Sequence, residues 1–321
     1  MDISYLLFLQ NIREALGPGA EMFMGIISAI AVHHVIIFIP AIMYWCFNKK
    51  NGQFVFFTFG FAQFLNGLLK LSVCCYRPWI RDPRIIPSQY AIAQATGYSF
   101  PSGHATVAGG LFASAGWVGR GKFRNIPTIA LFIFAALVMF SRNYLGVHTP
   151  QDVIVGMATA VFAIWIVTIF FNWIEKNEKM DVQTLIVCAA AIILSLFYFK
   201  FKSYPIDYVN GEILVDPQKM MFDSFADAGR ALGIIVGWFI ERRFIRFTTD
   251  CSWGEKAARL AIGIALILLV TKGVTPAISA AMPGHIGRFI KGFVELLTPV
   301  LIAPVLFIPV SRLFAKRNEV K

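Results

Sequence analysis

Charge is scarce in this chain. Only 15% of its residues are Asp, Glu, Lys or Arg, against 57% hydrophobic, and the carboxylates number 18 beside 29 Lys and Arg. A soluble domain carries about a quarter charged residues, so a water-soluble globule is excluded. Cysteine is sparse too: Cys46, Cys74, Cys75, Cys188 and Cys251 show no metal-ligand spacing and read as small apolar fillers. The sequence holds no low-complexity tract, no clear internal repeat and no soluble domain. It shows no cleavable signal peptide. Residues 1–18 carry Arg13 and Glu14 inside a short apolar pattern ending at Gly17-Pro18-Gly19, which reads as an interfacial amphipathic helix.

What the chain has instead is apolar runs near the ~20 residues that a membrane span needs. Nine segments approach that length: roughly 24–46, 53–73, 102–119, 128–147, 152–174, 182–199, 224–240, 257–275 and 292–312. The expected fold is therefore all-α, a polytopic membrane helical bundle of about nine transmembrane helices. Three regions are expected: an amphipathic N-terminal segment at 1–23, a core at 24–181 and a C-terminal four-helix membrane extension at 182–321.

The net charge of +11 raises the question of nucleic acid, but its placement argues for a membrane instead. Lys49, Lys50, Arg120, Lys122, Arg124, Lys176, Lys179, Arg242, Arg243, Arg246 and Lys256 fall in alternate loops, and Arg312, Lys316, Arg317 and Lys321 follow the last span. That is the positive-inside pattern. It sets the N-terminus outside and the C-terminus in the cytoplasm, although Arg77, Arg81, Arg84, Lys200, Lys202, Lys219, Arg288 and Lys291 lie in the opposite loops. The Arg242-Arg243-Phe244-Ile245-Arg246 tract reads as a topogenic inner loop in contact with anionic lipid.

Ionisable residues within spans are costly and point to function. Here they gather at one level. Lys70 lies near the outer end of the second span, and Arg77-Pro78 follows it. Pro101-Ser102-Gly103-His104 opens the third. Ser141 and Arg142 approach the outer end of the fourth, His148 closes it, and Asp152 begins the fifth. The residue types suit a phosphate ester. Lys70, Arg77 and Arg142 can neutralise its oxygens, Arg in bidentate fashion. Ser102 adds a hydroxyl, and the N–H groups of Gly103 and His104 sit at a helix N-terminus. One neutral His can attack phosphorus while a second protonates the leaving alkoxide. Asp152 suits the task of holding the attacking ring.

Lys70-x6-Arg77-Pro78, Pro101-Ser102-Gly103-His104 and Ser141-Arg142-x5-His148-x3-Asp152 resemble the three signatures of the type-2 phosphatidic acid phosphatase superfamily, complete and in order. The resemblance covers residues 70–152. It implies that His148 is the nucleophile, His104 the general acid and Asp152 the group that orients His148. It also implies that Lys70, Arg77, Ser102, Gly103 and Arg142 bind phosphate. The family needs no metal and no other cofactor, and no carboxylate cluster in the sequence would hold Mg²⁺. The layout and the tract Ser141-Arg142-Asn143-Tyr144-Leu145-Gly146-Val147-His148 look similar to sphingosine-phosphate phosphatases, and the nine spans also to glucose-6-phosphatase.

The expected activity is hydrolysis of a phosphorylated lipid in a membrane, such as the bacterial cytoplasmic membrane, with the site facing outside. Its partners would be that lipid substrate and the surrounding membrane lipids, and no nucleic acid. A phosphotransferase, a phosphatase of a soluble sugar phosphate and a lipid transporter with a vestigial site are the alternatives. Asp223, Asp227 and Arg230, at helical spacing on the seventh span, either recognise a head group or neutralise one another, and Lys272 and Glu295 are placed to join them. Gly229, Gly233 and Gly237 on that span form a ridge for close helix packing. His33-His34, without a partner motif, read as a pair bonded to neighbouring helices or facing an aqueous cleft, with a proton relay as the alternative.

Overall fold

A computed structural model describes residues 2–32, 37–119, 126–209 and 211–319. His33 and His34, and the basic residues Arg120, Lys122 and Arg124, lie outside the described residues.

The chain is helical almost throughout. In order come α1 (Asp2–Val32), α2 (Phe38–Ile42), α3 (Lys49–Val73), α4 (Pro78–Arg81), α5 (Gln89–Ile92), α6 (Gly103–Ala108) and α7 (Ser114–Gly119). They are followed by α8 (Ile126–Tyr144), α9 (Pro150–Ile174), α10 (Asp181–Phe201), the hairpin β1 (Tyr208–Val209) and β2 (Glu212–Ile213), and α11 (Pro217–Ile240). The chain ends with α12 (Trp253–Leu269), α13 (Thr275–Ala281), α14 (His285–Leu297) and α15 (Ala303–Glu319). Among the described residues, seven helical stretches are long and apolar enough to cross a membrane. Those expected at 102–119 and 224–240 are not among them, and Asp2–Val32 stands where one was expected at 24–46. The 103–119 stretch borders residues outside the described set and is interrupted by a π turn at Gly109–Ala113, and α11 carries Lys219, Asp223, Asp227 and Arg230 over its N-terminal part.

The N-terminal region differs from the expected amphipathic segment followed by a span at 24–46. α1 runs from Asp2 to Val32 and turns at Gly17, whose φ of 75° is open to glycine at little cost, with Pro18 beginning the second arm. Leu6, Leu9 and Arg13, spaced as one helical stripe, are all buried. The first arm thus buries one stripe while Tyr5, Phe8 and Leu16 stay exposed.

The chain folds into two compact units. One comprises Met1–Ile36, Phe61–Ile166 and Phe199–Met221; the other comprises Ile37–Gly60, Val167–Tyr198 and Phe222–Lys321. All three signature motifs belong to the first. There α8 packs against α1 and α6, and the loop after α8 rests on a small core of Ala91, Ala95, Tyr144, Leu145 and Val147.

The second unit has an aromatic core that includes Tyr44, Trp45, Phe56, Trp238, Phe247 and Phe307. Its buried polar groups are matched to breaks in the helical ladder. Pro304 cannot donate to the Val300 carbonyl four residues back, and the Tyr44 hydroxyl donates to it at 3.0 Å. In the π turn Thr298–Ile302 the Ala303 N–H reaches Thr298, and Trp45 Nε1 donates to the Pro299 carbonyl at 2.8 Å. The glycine ridge packs as its spacing suggests. A Cβ at Gly229 or Gly233 would strike the backbone carbonyls of Phe289 and Phe293, and one at Gly237 would press on Val300.

Candidate active site

The site is built from helix ends and the loops between them, all in the first unit. The loop between α8 and α9 is folded by its own backbone. Leu145 N–H donates to Ser141, Gly146 to Asn143, and Val147 and His148 both to Arg142. Gly146 has a φ of 71°, which makes the turn that returns His148 toward Arg142. Asn143 Nδ2 donates to the His148 carbonyl at 2.8 Å, and Leu145 and Val147 are fully buried on either side of the turn. Arg13 of α1 clamps this loop from outside the motifs, donating to the Tyr144 carbonyl at 3.2 Å and the Ile86 carbonyl at 2.5 Å.

Asp152 is the hub. Its Oδ2 lies 3.3 Å from His148 Nδ1, and it accepts from the Thr149 N–H at 2.8 Å and from the Ser99 hydroxyl at 2.5 Å. Ser99 Oγ is itself 3.4 Å from His148 Nδ1. The Asp152 carbonyl accepts from the Ser102 N–H at 2.9 Å, which joins the second motif to the third. That approach requires Gly156: a Cβ there would stand 2.6 Å from the Ser102 carbonyl.

On the other side of the ring, Arg77 Nη1 lies 2.8 Å from His148 Nε2. A guanidinium has no acceptor, so Nε2 presents its lone pair and the ring proton resides on Nδ1, toward Asp152. Arg77 is held by three backbone carbonyls, those of Thr96, Gly97 and Val147, each at 3.0 Å. Burial first, and then the charges of Arg77, Arg142 and Lys70, hold the His148 pKa well below its ordinary value, so the ring is neutral.

Arg142 is fully buried. Its Nη1 donates to Ser28 of α1 at 2.5 Å, while Nε and Nη2 find no hydrogen-bond partner among the described residues. A buried guanidinium with orphaned donors is expensive and suits an anion that brings several acceptor oxygens. Lys70 Nζ donates to the Tyr98 carbonyl at 3.3 Å. Ser102 caps α6 by accepting from the Ala105 N–H at 3.4 Å, which leaves its hydroxyl proton available. A Cβ at Gly103 would meet only Asn66 Oδ1 at 3.9 Å, so the backbone there borders open space. His104 Nε2 lies 3.1 Å from Gln94 Oε1.

The structure thus brings together His148, Asp152, Arg77 and Ser102 in one bonded network, with Arg142 supporting the His148 loop through its carbonyl. Sequence reasoning missed Ser99, Gln94 and Arg13. No spacing signal marks Ser99 or Gln94, whereas Arg13 shares a stripe with Leu6 and Leu9 and was legible as a buried charge. Asp223, Asp227 and Arg230 fall in the second unit. Arg230 there donates to Asp227 at 2.6 Å and, through two nitrogens, to Glu295 at 3.0 and 2.8 Å. For Asp227 and Arg230 these contacts fit mutual neutralisation, with Glu295 as the second carboxylate.

Comparisons with known proteins agree with this geometry. Residues 52–176 match the PAP2 superfamily, and residues 225–317 match the transmembrane extension of PAP2 superfamily phosphatases, together about two thirds of the chain. The chain belongs to the PAP2 superfamily, as a polytopic membrane phosphatase. It is 27% identical over 151 residues to phosphatidylglycerophosphatase B of Bacillus subtilis, covering 45% of this chain and 70% of that one. It is 32% identical over 118 residues to lipid A 1-phosphatase of Rhizobium johnstonii, covering 36% and 44%. It is 24% identical over 168 residues to lipid phosphate phosphatase delta of Arabidopsis thaliana, covering 50% and 38%. The alignments therefore span less than half the length of the last two. No solved structure matches.

Proposed function

We propose that the protein hydrolyses a phosphorylated lipid without a metal, through a phospho-histidine at His148. The observation that carries this reading is the opposed pair of bonds on one ring: Asp152 at Nδ1 and Arg77 at Nε2. The Nε2 lone pair forms the N–P bond as the P–O bond to the lipid breaks. His104 donates the proton that the departing alkoxide takes up, and then accepts one from the water that cleaves the N–P bond. Arg77, Arg142, Lys70, Ser102 and the N–H groups of Gly103 and His104 hold the phosphoryl oxygens. Three cations and a helix N-terminus supply the charge that metal ions supply elsewhere.

The relatives' names support a lipid phosphate as substrate, with phosphatidylglycerol phosphate and lipid A 1-phosphate as first candidates. The loop-charge asymmetry supports a site on the non-cytoplasmic side, which in a bacterial cytoplasmic membrane is the outer leaflet. The test is phosphate release by purified protein on a panel of phosphatidylglycerol phosphate, phosphatidate, a lipid pyrophosphate, sphingosine phosphate and a sugar phosphate, with EDTA throughout. Release from a lipid in EDTA, with acid-labile phosphate retained on the quenched protein, is expected. Activity that EDTA abolishes and Mg²⁺ restores overturns the proposal.

A further inference from the structure

A basic cavity lies elsewhere in the chain, lined wholly by residues of the second unit. A cavity of about 640 Å³ is lined by Lys179, Asp181, Gln183, Arg242, Arg243 and Arg246, with Val182 at its edge. Its volume suits a small ligand or a head group. Arg242, Arg243 and Arg246 all line it from the C-terminal extension of α11. The extension closes as a π turn over Glu241–Ile245, with the Arg246 N–H donating to the Glu241 carbonyl at 2.8 Å. Glu241 is fully buried and anchors the turn, accepting from Lys49 at 2.6 Å and from the Phe247 N–H at 3.1 Å.

The charges in the cavity do not cancel. Among the described side chains Asp181 is its one carboxylate, and that group is taken by Arg242, whose Nε reaches Oδ2 at 3.1 Å while Nη2 donates to the Ile174 carbonyl. Arg242 is thereby neutralised and fixed. Among the described side chains, no carboxylate pairs with Lys179, Arg243 or Arg246. Three cations around one cavity, two of them guanidinium forks, are the donor set that phosphate oxygens require. Gln183 can add a neutral amide. Apolar surface adjoins them: Val182 is 39% exposed and Phe244 69%. Both loops that contribute belong to the set whose charge predicts a cytoplasmic location, where anionic lipid is met.

We propose that this basic cavity binds a phosphate-bearing anion, and that its occupant is the head group of an anionic phospholipid, with Val182 and Phe244 against the lipid's apolar part. It shares no residue with the His148 site. Its role is to seat a structural or regulatory lipid and not a substrate.

The test uses the purified full-length chain in a neutral detergent. Melting temperature and lipid retention by native mass spectrometry are read with added phosphatidylglycerol, phosphatidylcholine or inorganic phosphate. Wild type is compared with Arg243→Gln/Arg246→Gln and with Gln183→Glu. The second variant leaves every Lys and Arg in place, so the topogenic charge is preserved, and adds a repelling carboxylate to the cavity. Phosphatidylglycerol is expected to raise the wild-type melting temperature and to be retained, with phosphatidylcholine inert. Both variants should weaken that binding by at least about tenfold while hydrolysis rates stay unchanged. His148→Ala should keep the full lipid response. A response to inorganic phosphate that both variants lose would support the cavity with a soluble anion as its source. Equal responses of wild type and both variants, or loss of the response in His148→Ala, would overturn the proposal.

Discussion

Arg77 Nη1 and His148 Nε2 stand 2.8 Å apart, so a cation guards the lone pair to which the proposed mechanism gives the attack on phosphorus. The contact fixes which ring nitrogen is basic, and a phosphoryl oxygen entering the site can take over that guanidinium N–H. His148→Ala should lower kcat by several orders of magnitude while the protein inserts and melts as wild type does. Rates near wild type in a well-folded variant would remove His148 as nucleophile.

Acid should destabilise the protein through the same ring. Burial and three nearby cations hold the folded His148 pKa well below the ordinary value, while the unfolded chain titrates near 6.5. Below about pH 6.5 the unfolded state therefore binds more protons than the folded one, and stability falls as pH falls. The contribution is intact above that pH and is lost toward the folded pKa. The wild-type melting temperature should drop more steeply from pH 7.5 to 5.5 than that of His148→Gln. Parallel curves would show that His148 is not held neutral.

Ser99→Ala removes a 2.5 Å bond to Asp152 Oδ2 and a contact to His148 Nδ1. Because Ser99 acts through those residues, the loss should fall on kcat with little change in KM. One charge-assisted bond corresponds to about 10-fold or more in rate. Ser99→Thr, which keeps the hydroxyl, should recover part of it. A change in KM alone would point to substrate contact instead.

Arg230 is held by Asp227 and Glu295. Arg230→Ala should therefore reduce stability by about 2–3 kcal/mol, read as a lower melting temperature, and reduce turnover of every lipid in the panel by a similar factor. A loss confined to the more highly charged head groups, at unchanged stability, would reassign Arg230 to substrate recognition.

The orientation can be read by labelling. Ala93 is exposed in the loop ahead of the second motif and Asn177 lies between α9 and α10. In a cysteine-free background, Ala93→Cys should react with an impermeant maleimide in intact cells and Asn177→Cys should not. The reverse pattern would move the site to the cytoplasmic side.

The sequence by itself determined the family and the kind of fold, and it supplied the residues on which the proposed chemistry rests. Apolar runs near 20 residues long suit helices that cross lipid, and the residues from Lys70 to Asp152 carry their spacing openly. Helix packing at Gly229, Gly233 and Gly237 was legible for the same reason: a period of four residues is a local property. What tertiary structure decided were contacts between residues distant in sequence. The bond from Ser99 to Asp152, the clamp of Arg13 on the Tyr144 and Ile86 carbonyls, and the second carboxylate on Arg230 each join segments between about 50 and 130 residues apart. No periodicity encodes such pairs. They arise because a buried polar group must find a partner wherever the packed helices place one, and only the folded chain says where that is.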